Sequence, residues 1–203
     1  MMTVTIRDAQ FRATFARLRD SAKRPRAILA AAGRAAANAL RRHFRERDAV
    51  EVNKLGGKRT HFWLQVMRSV QAPISDDQEA RISINHPGIA QKVFGGTITA
   101  KRVKNLAIPQ TPEAYGRAPA VFEQETGLKL FCISGRGAAV LATRRGAVRG
   151  LFGAETGLQV EYVLKPSVTQ DATPGALPEM GGGSAFTAQV VAAAQAAWER
   201  QWS

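Results

Sequence analysis

Leu158-Gln159-Val160-Glu161-Tyr162-Val163-Leu164 is the clearest strand in the sequence, and the order of the elements around it decides the fold class. Just upstream, Leu128–Ser134 and Ala138–Thr143 read as two strands joined by a hairpin turn at Ser134-Gly135-Arg136-Gly137. Earlier still, Asn105–Pro109 is a short strand stopped by its proline, and Thr97-Ile98-Thr99 is extended after Gly95-Gly96. Ala80–Asn85 alternates as a half-buried strand does. After the turn His86-Pro87-Gly88, the stretch Ile89–Phe94 reads either as another strand or as a short helical turn.

Further out the period becomes helical. Residues 8–22 place Phe11, Phe15 and Leu18 at spacings of four and three. Lys23-Arg24-Pro25 breaks that run, and Pro25 suits the first turn of a second helix reaching about Arg47. Ile28, Leu29, Ala32, Ala36, Leu40 and Phe44 line one of its faces, with Arg34, Arg41, Arg45 and Arg47 largely off it. Its length is roughly 35 Å at 1.5 Å per residue. Asn53–Lys58 is a turn, after which Thr60 is placed to cap a helix over His61–Val70 that Pro73 closes. That helix carries Phe62, Val66 and Val70 on one face, with Trp63 and Met67 beside it.

Beyond the deciding strand, Lys165–Gly183 is rich in proline and glycine and reads as a flexible hinge. Ser184 then caps a final helix to about Gln201, whose apolar face holds Phe186, Val190, Val191, Ala194, Ala197 and Trp198. Helices, then a mostly antiparallel sheet with long loops, then a helix make the chain α+β. The expected organisation is one domain over residues 1–183, with loop insertions at 110–126 and 144–157, and a separate C-terminal helix over 184–203. That helix either docks on its own domain or swings onto a neighbour. Both insertions have the composition of arms that order against a partner.

Composition bounds the class. The 203 residues are 45% hydrophobic and 22% charged, which suits a folded domain large enough to need no disulfide or metal. The only cysteine, Cys132, has no internal partner, and its apolar strand predicts a buried, inert thiol. Charges interrupt the opening residues where a secretory signal needs an apolar run, and nothing approaches the roughly 20 apolar residues of a spanning helix. A soluble protein without a membrane partner is expected. Of the formal net charge of +13, segment 1–47 holds twelve Lys and Arg against Asp8, Asp20 and Glu46, a net of +9. Such a field attracts polyanions, although a solvated arginine face or a subunit contact accounts for it as well.

The residue types of catalysis are sparse. His43, His61 and His86 have no partner at metal-ligand spacing. Gly135-Arg136-Gly137 joins two strands and lacks the Lys-Ser/Thr ending of a phosphate loop. Asp76, Asp77 and Glu79 form an acidic run before a strand, more often solvated than metal-binding. The chain is therefore expected to have no catalytic residues, no metal and no cofactor, and not to be an enzyme.

Several segments read together as a resemblance. Leu55-Gly56-Gly57-Lys58-Arg59-Thr60-His61-Phe62 is followed by His86-Pro87-Gly88-Ile89-Ala90-Gln91-Lys92-Val93-Phe94-Gly95-Gly96-Thr97-Ile98. Lys104-Asn105-Leu106-Ala107-Ile108-Pro109, Pro112-Glu113-Ala114-Tyr115-Gly116, Tyr162–Gln170 and Leu177-Pro178 come after. Over about residues 30–200 this order resembles the virion-morphogenesis or tail-completion proteins of Mu-like and other tailed phages, with a Gln-x-x-x-Gly-Gly element carrying much of it. The chain departs from the better-known pattern in its long 110–157 insertion.

The resemblance implies a structural protein at the head–tail junction or upper tail, assembled in the bacterial host cytoplasm into the virion. It implies tail-completion or tail-terminator-like subunits that form a homo-oligomeric ring, often sixfold, between connector or neck and tail-tube proteins. Phe94, Tyr115, Trp198 and Trp202 are the candidate subunit contacts, and Ala80–Asn85 and Leu158–Leu164 the candidate strands to pair across subunits. DNA passing through such a ring would face Arg17, Arg24, Arg34, Arg41, Arg42 and Arg45. The same arginines serve the alternative reading, a stand-alone DNA-binding protein. A phage nuclease, the third reading, has only the acidic run to offer.

Overall fold

A computed structural model describes residues 25–53, 55–56, 59–134, 139–144, 149–150, 153–154 and 157–200. The expected first helix, Arg17, Arg24, Trp202 and the turn residues 135–137 lie outside them. The chain is α+β. It divides into two compact units: the described parts of Met1–Ala49, Phe62–Ile89 and Gly175–Ser203, and those of Val50–His61 and Ala90–Pro174.

The first unit is built on α1 (Arg26–Val50), which begins just after Pro25 as its sequence requires. Of its buried residues, Gly33, Ala37, Leu40, Phe44 and Asp48 follow spacings of three and four, with Ala31 and Ala39 buried beside them. The stripe keeps the expected Leu40 and Phe44, while in the first half of the helix Gly33 and Ala37 stand in place of Ala32 and Ala36, where Gly33 admits a neighbour. A Cβ there would lie 3.0 Å from Pro73 Cβ and 3.1 Å from Ala80 Cβ. Helix α2 (Phe62–Ser69) presents Trp63 and Val66 inward, with Val70 buried just past its end. Phe44 stacks on Trp63 at 5.9 Å between ring centroids, and Phe62 meets Trp63 edge-on at 5.1 Å. Aromatic pairs in such geometries add about 0.5–1.5 kcal/mol beyond their buried area.

The start of α2 differs from expectation. His61, at φ +51°, is the residue before the helix, so the N-cap position falls on His61, one residue after the expected Thr60. The Leu64 N–H instead donates to the buried Asp48 carboxylate at 3.2 Å, a cap supplied by α1. Ala80–Asn85 is also not one continuous strand. β1 (Ile74–Ser75) pairs with β2 (Ala80–Arg81), and Ile84 forms an isolated bridge with Val70. The Gln71 and Asn85 N–H groups donate to Ser83 O and Ser69 O, so this segment is engaged within its own unit.

The last helix of this unit is α5 (Ala185–Arg200), and Ser184 caps it as expected: its hydroxyl accepts the Thr187 N–H at 3.2 Å. Phe186, Val190, Ala194 and Trp198 are half-buried along one stripe and Ala197 is buried, whereas Val191 is exposed.

The second unit holds α3 (Ile89–Phe94, whose first residue closes the first unit), resolving the open reading of that stretch as helix. β3 (Gly96–Thr99) follows, then β4 (Leu106–Pro109). Residues 110–126 are not one long loop, because α4 (Pro119–Thr126) occupies their second half. Pro119 fits the first turn, and Gly127 ends the helix at φ +69°, where its N–H reaches Glu123 O. β5 (Phe131–Ile133) and β6 (Ala139–Arg144) form the expected hairpin. Within 144–157, the short β7 (Arg149–Gly150) and β8 (Gly153–Ala154) pair with each other.

β9 (Leu158–Lys165) is the expected strand, and Pro166 alone separates it from β10 (Ser167–Gln170), which replaces the start of the expected hinge. The main sheet runs β4-β9-β6-β5, all antiparallel, and β3 pairs with β10 in a separate ribbon. β9 lies inside the sheet, with β4 paired to its Tyr162–Lys165 half and β6 along its length, so only its Leu158–Val160 end has a strand partner on one side alone among the described residues. On one face Ala114, Phe122 and Tyr162 form a core, covered by Ala107, Leu128, Leu130 and Leu141.

Candidate functional site

The most constrained polar chemistry lies in β9. Leu141 pairs with Tyr162 but Ala142 with Val160, so the register shifts and Glu161 stands in a β-bulge without a partner on β6. Bulges redirect side chains, and Glu161 is fully buried. Its carboxylate accepts the Thr143 hydroxyl at 2.9 Å and the Thr111 hydroxyl through a short hydrogen bond. Its carbonyl accepts the Gln110 N–H at 2.8 Å. Thr111 Oγ1 in turn accepts the Ala114 N–H at 3.3 Å.

Next to it, the buried Tyr162 hydroxyl donates to Arg117 O at 3.1 Å, with Ala114 O 3.4 Å away. Burial, and secondarily the Glu161 charge, push the phenol above its usual range, while Arg117 pulls the other way. Two consecutive residues of one strand thus pin residues 110–117 to the sheet. The arrangement positions a loop. Nothing singled out Glu161 in the sequence, because one acidic residue in an alternating strand reads as outward-facing.

The Gln-x-x-x-Gly-Gly element folds into a second constrained place. Gly95 ends α3 at φ +67°, its N–H donating to Gln91 O at 2.9 Å. The Gln91 side chain donates to Gly96 O at 2.8 Å, and the Thr173 N–H to Lys92 O at 2.7 Å. A Cβ on Gly95 would fall 2.7 Å from Ala172 N and Gln170 O, so only glycine fits. Between these fastenings Phe94 is 81% exposed. The adjoining ribbon is bare as well: all four residues of β3 are exposed, and on β10 only Val168, opposite Ile98, is half-buried. Of the other expected contacts, Tyr115 and Trp198 are half-buried.

The expected arginines part company. Arg34, Arg42 and Arg45 are exposed on α1. Arg41 is instead occupied within the fold, donating to Val70 O at 2.9 Å. Arg47 likewise lies over the Trp63 ring at 4.6 Å and donates to Gly175 O at 2.6 Å. The connection over residues 100–105 places Lys101, Arg102 and Lys104 in solvent.

Residues weighed for catalysis or metal binding are used structurally. The Asp76 carboxylate accepts the Gln78 and Glu79 N–H groups, both at 2.8 Å, and these bonds hold its acid below the usual range. Glu79 pairs with Arg81, so the acidic run is the β1–β2 turn. His86 Nδ1 accepts the Gly88 N–H at 3.2 Å while its ring packs edge-on against Phe62. His43 meets Gly175 O at 3.0 Å. Among the described residues no three His, Cys, Asp or Glu side chains gather as metal ligands, and no helix is long and apolar enough to cross a membrane.

Cys132 is exposed, not buried. It lies on the edge strand β5, where only Phe131 of the three residues is half-buried. Comparison with known proteins finds no family model, no curated protein and no solved structure that matches the chain.

Proposed function

We propose that the protein is a structural subunit of a tailed-phage particle, working by assembly at the head–tail junction or the tail top as a tail-completion or terminator-like ring component. Its partners in this reading are copies of itself, connector or neck proteins and tail-tube proteins, within a virion built in the bacterial cytoplasm. The observation that carries the reading is Phe94: a large apolar side chain 81% exposed, on a backbone fixed on both sides by Gln91, Gly95 and Thr173. Rigid, solvent-facing aromatic residues are favoured as contact hot spots, since little conformational entropy is lost when they are covered. The same segment carries the Gln-x-x-x-Gly-Gly resemblance.

Light scattering and negative-stain imaging of the purified protein test it. Discrete rings are expected, and Phe94→Glu should dissolve them while leaving the fold intact. A monomer at all concentrations, insensitive to Phe94→Glu, would sink the reading. The second reading, a DNA-binding protein, draws on the exposed Arg34, Arg42 and Arg45 of α1. A monomer whose DNA affinity falls in an Arg34→Gln/Arg42→Gln/Arg45→Gln variant would favour it.

A further inference from the structure

We propose that Lys101, Arg102 and Lys104, with Lys165 across the strand pair, form a contact site for the phosphate backbone of duplex DNA. The site does not require the ring reading. It arises from a mismatch in strand lengths. Thr99 pairs with Ser167 and Leu106 with Lys165, so residues 100–105 oppose the single residue Pro166. The Ala100 N–H donates to Pro166 O at 3.0 Å. The surplus chain loops into solvent, with Lys101, Arg102, Val103 and Lys104 all exposed and Val103 at 64%.

The strands that carry this loop bring no acid of their own to it. Segments 96–109 and 162–170 contain those four cations, with Glu and Asp absent except at the flanking Glu161 and Asp171 just outside them. Glu161 is buried against two threonines. Asp171 lies past the far end of the ribbon, roughly 16 Å from Pro166 at about 3.3 Å per residue. No hydrogen bond or ion pair joins the four cationic side chains to another described residue. All four residues are exposed.

The chemistry of the loop selects its partner. Lys101 to Lys104 span at most about 10 Å of chain, commensurate with phosphates that recur every 3.4 Å of rise along one DNA strand. The loop has no aromatic side chain on which an unpaired base would stack, so the contact is with backbone and is indifferent to sequence. A bilayer surface would reward a larger apolar tip than one valine.

The test uses the full chain and a short DNA duplex, with binding measured between about 50 and 200 mM salt. Lys101→Ala/Arg102→Ala/Lys104→Ala should weaken low-salt binding at least tenfold and flatten the log–log salt slope by about 2 to 3. Circular dichroism and light scattering on the same samples should be unchanged, because these side chains are exposed and unbonded. An unaltered slope would overturn the proposal, as would a wild-type protein that ignores DNA at low salt. So would preference for phosphatidylserine vesicles over DNA, or loss of self-association together with the slope, which would make these side chains subunit contacts.

Discussion

The two units solve the problem of an interior differently. In the first, Phe44, Trp63, Val66 and Val70 are buried around stacked rings, and its buried carboxylate, Asp48, caps a helix. In the second, the strand at the centre of the sheet buries Glu161 beside Tyr162 and satisfies it with threonine hydroxyls. Apolar burial is non-directional and tolerates small displacements, whereas a buried carboxylate is acceptable only with its donors in place. The first unit is therefore expected to respond to lost volume, and the second to lost geometry.

Trp63→Ala should have the largest effect, about 3–5 kcal/mol, read by chemical denaturation of the first unit. Glu161→Ala should cost about 2–3 kcal/mol, since two buried hydroxyls lose their acceptor while a costly buried carboxylate is removed. The contrast sharpens if Glu161→Leu/Thr111→Val/Thr143→Val restores most of that loss, because polar partners removed together leave nothing unsatisfied. Equal losses from the single and triple variants would break it.

Gly95→Ala comes next, at about 1–2 kcal/mol for the left-handed backbone alone, to which the forced shift of the Gln170–Ala172 backbone adds. It should also blunt assembly through Phe94, which light scattering would register. Tyr162→Phe is the smallest, about 1 kcal/mol for a lost hydroxyl donor. Its pH dependence is distinctive. A phenol whose folded value is raised above 10.0 contributes stability in full below about pH 10 and loses it as pH climbs through the raised value. Alkaline melts should therefore converge for wild type and Tyr162→Phe; parallel curves to the highest pH would contradict the assigned environment.

What could be read in advance follows the same divide. α1, β9 and the Ser184 cap were legible because periodicity or a local polar side chain specifies them. α4 was missed: eight residues are too few for a clear apolar stripe, and Pro119 reads as a loop residue although it is equally a helix opener. Glu161 became a core residue only through a register shift set by the pairing of two strands. The basic loop was invisible for a related reason, since its protrusion exists only relative to Pro166 on a distant strand. Asp48 capping α2 depends likewise on a helix remote in sequence.

The position of Cys132 has a practical consequence. As the sole thiol of the chain, outward on a three-residue edge strand, it offers one chemical address for a maleimide dye or a spin label without engineered substitutions. Labels of two colours on separate batches, then mixed, would test the proposed self-association by energy transfer in real time.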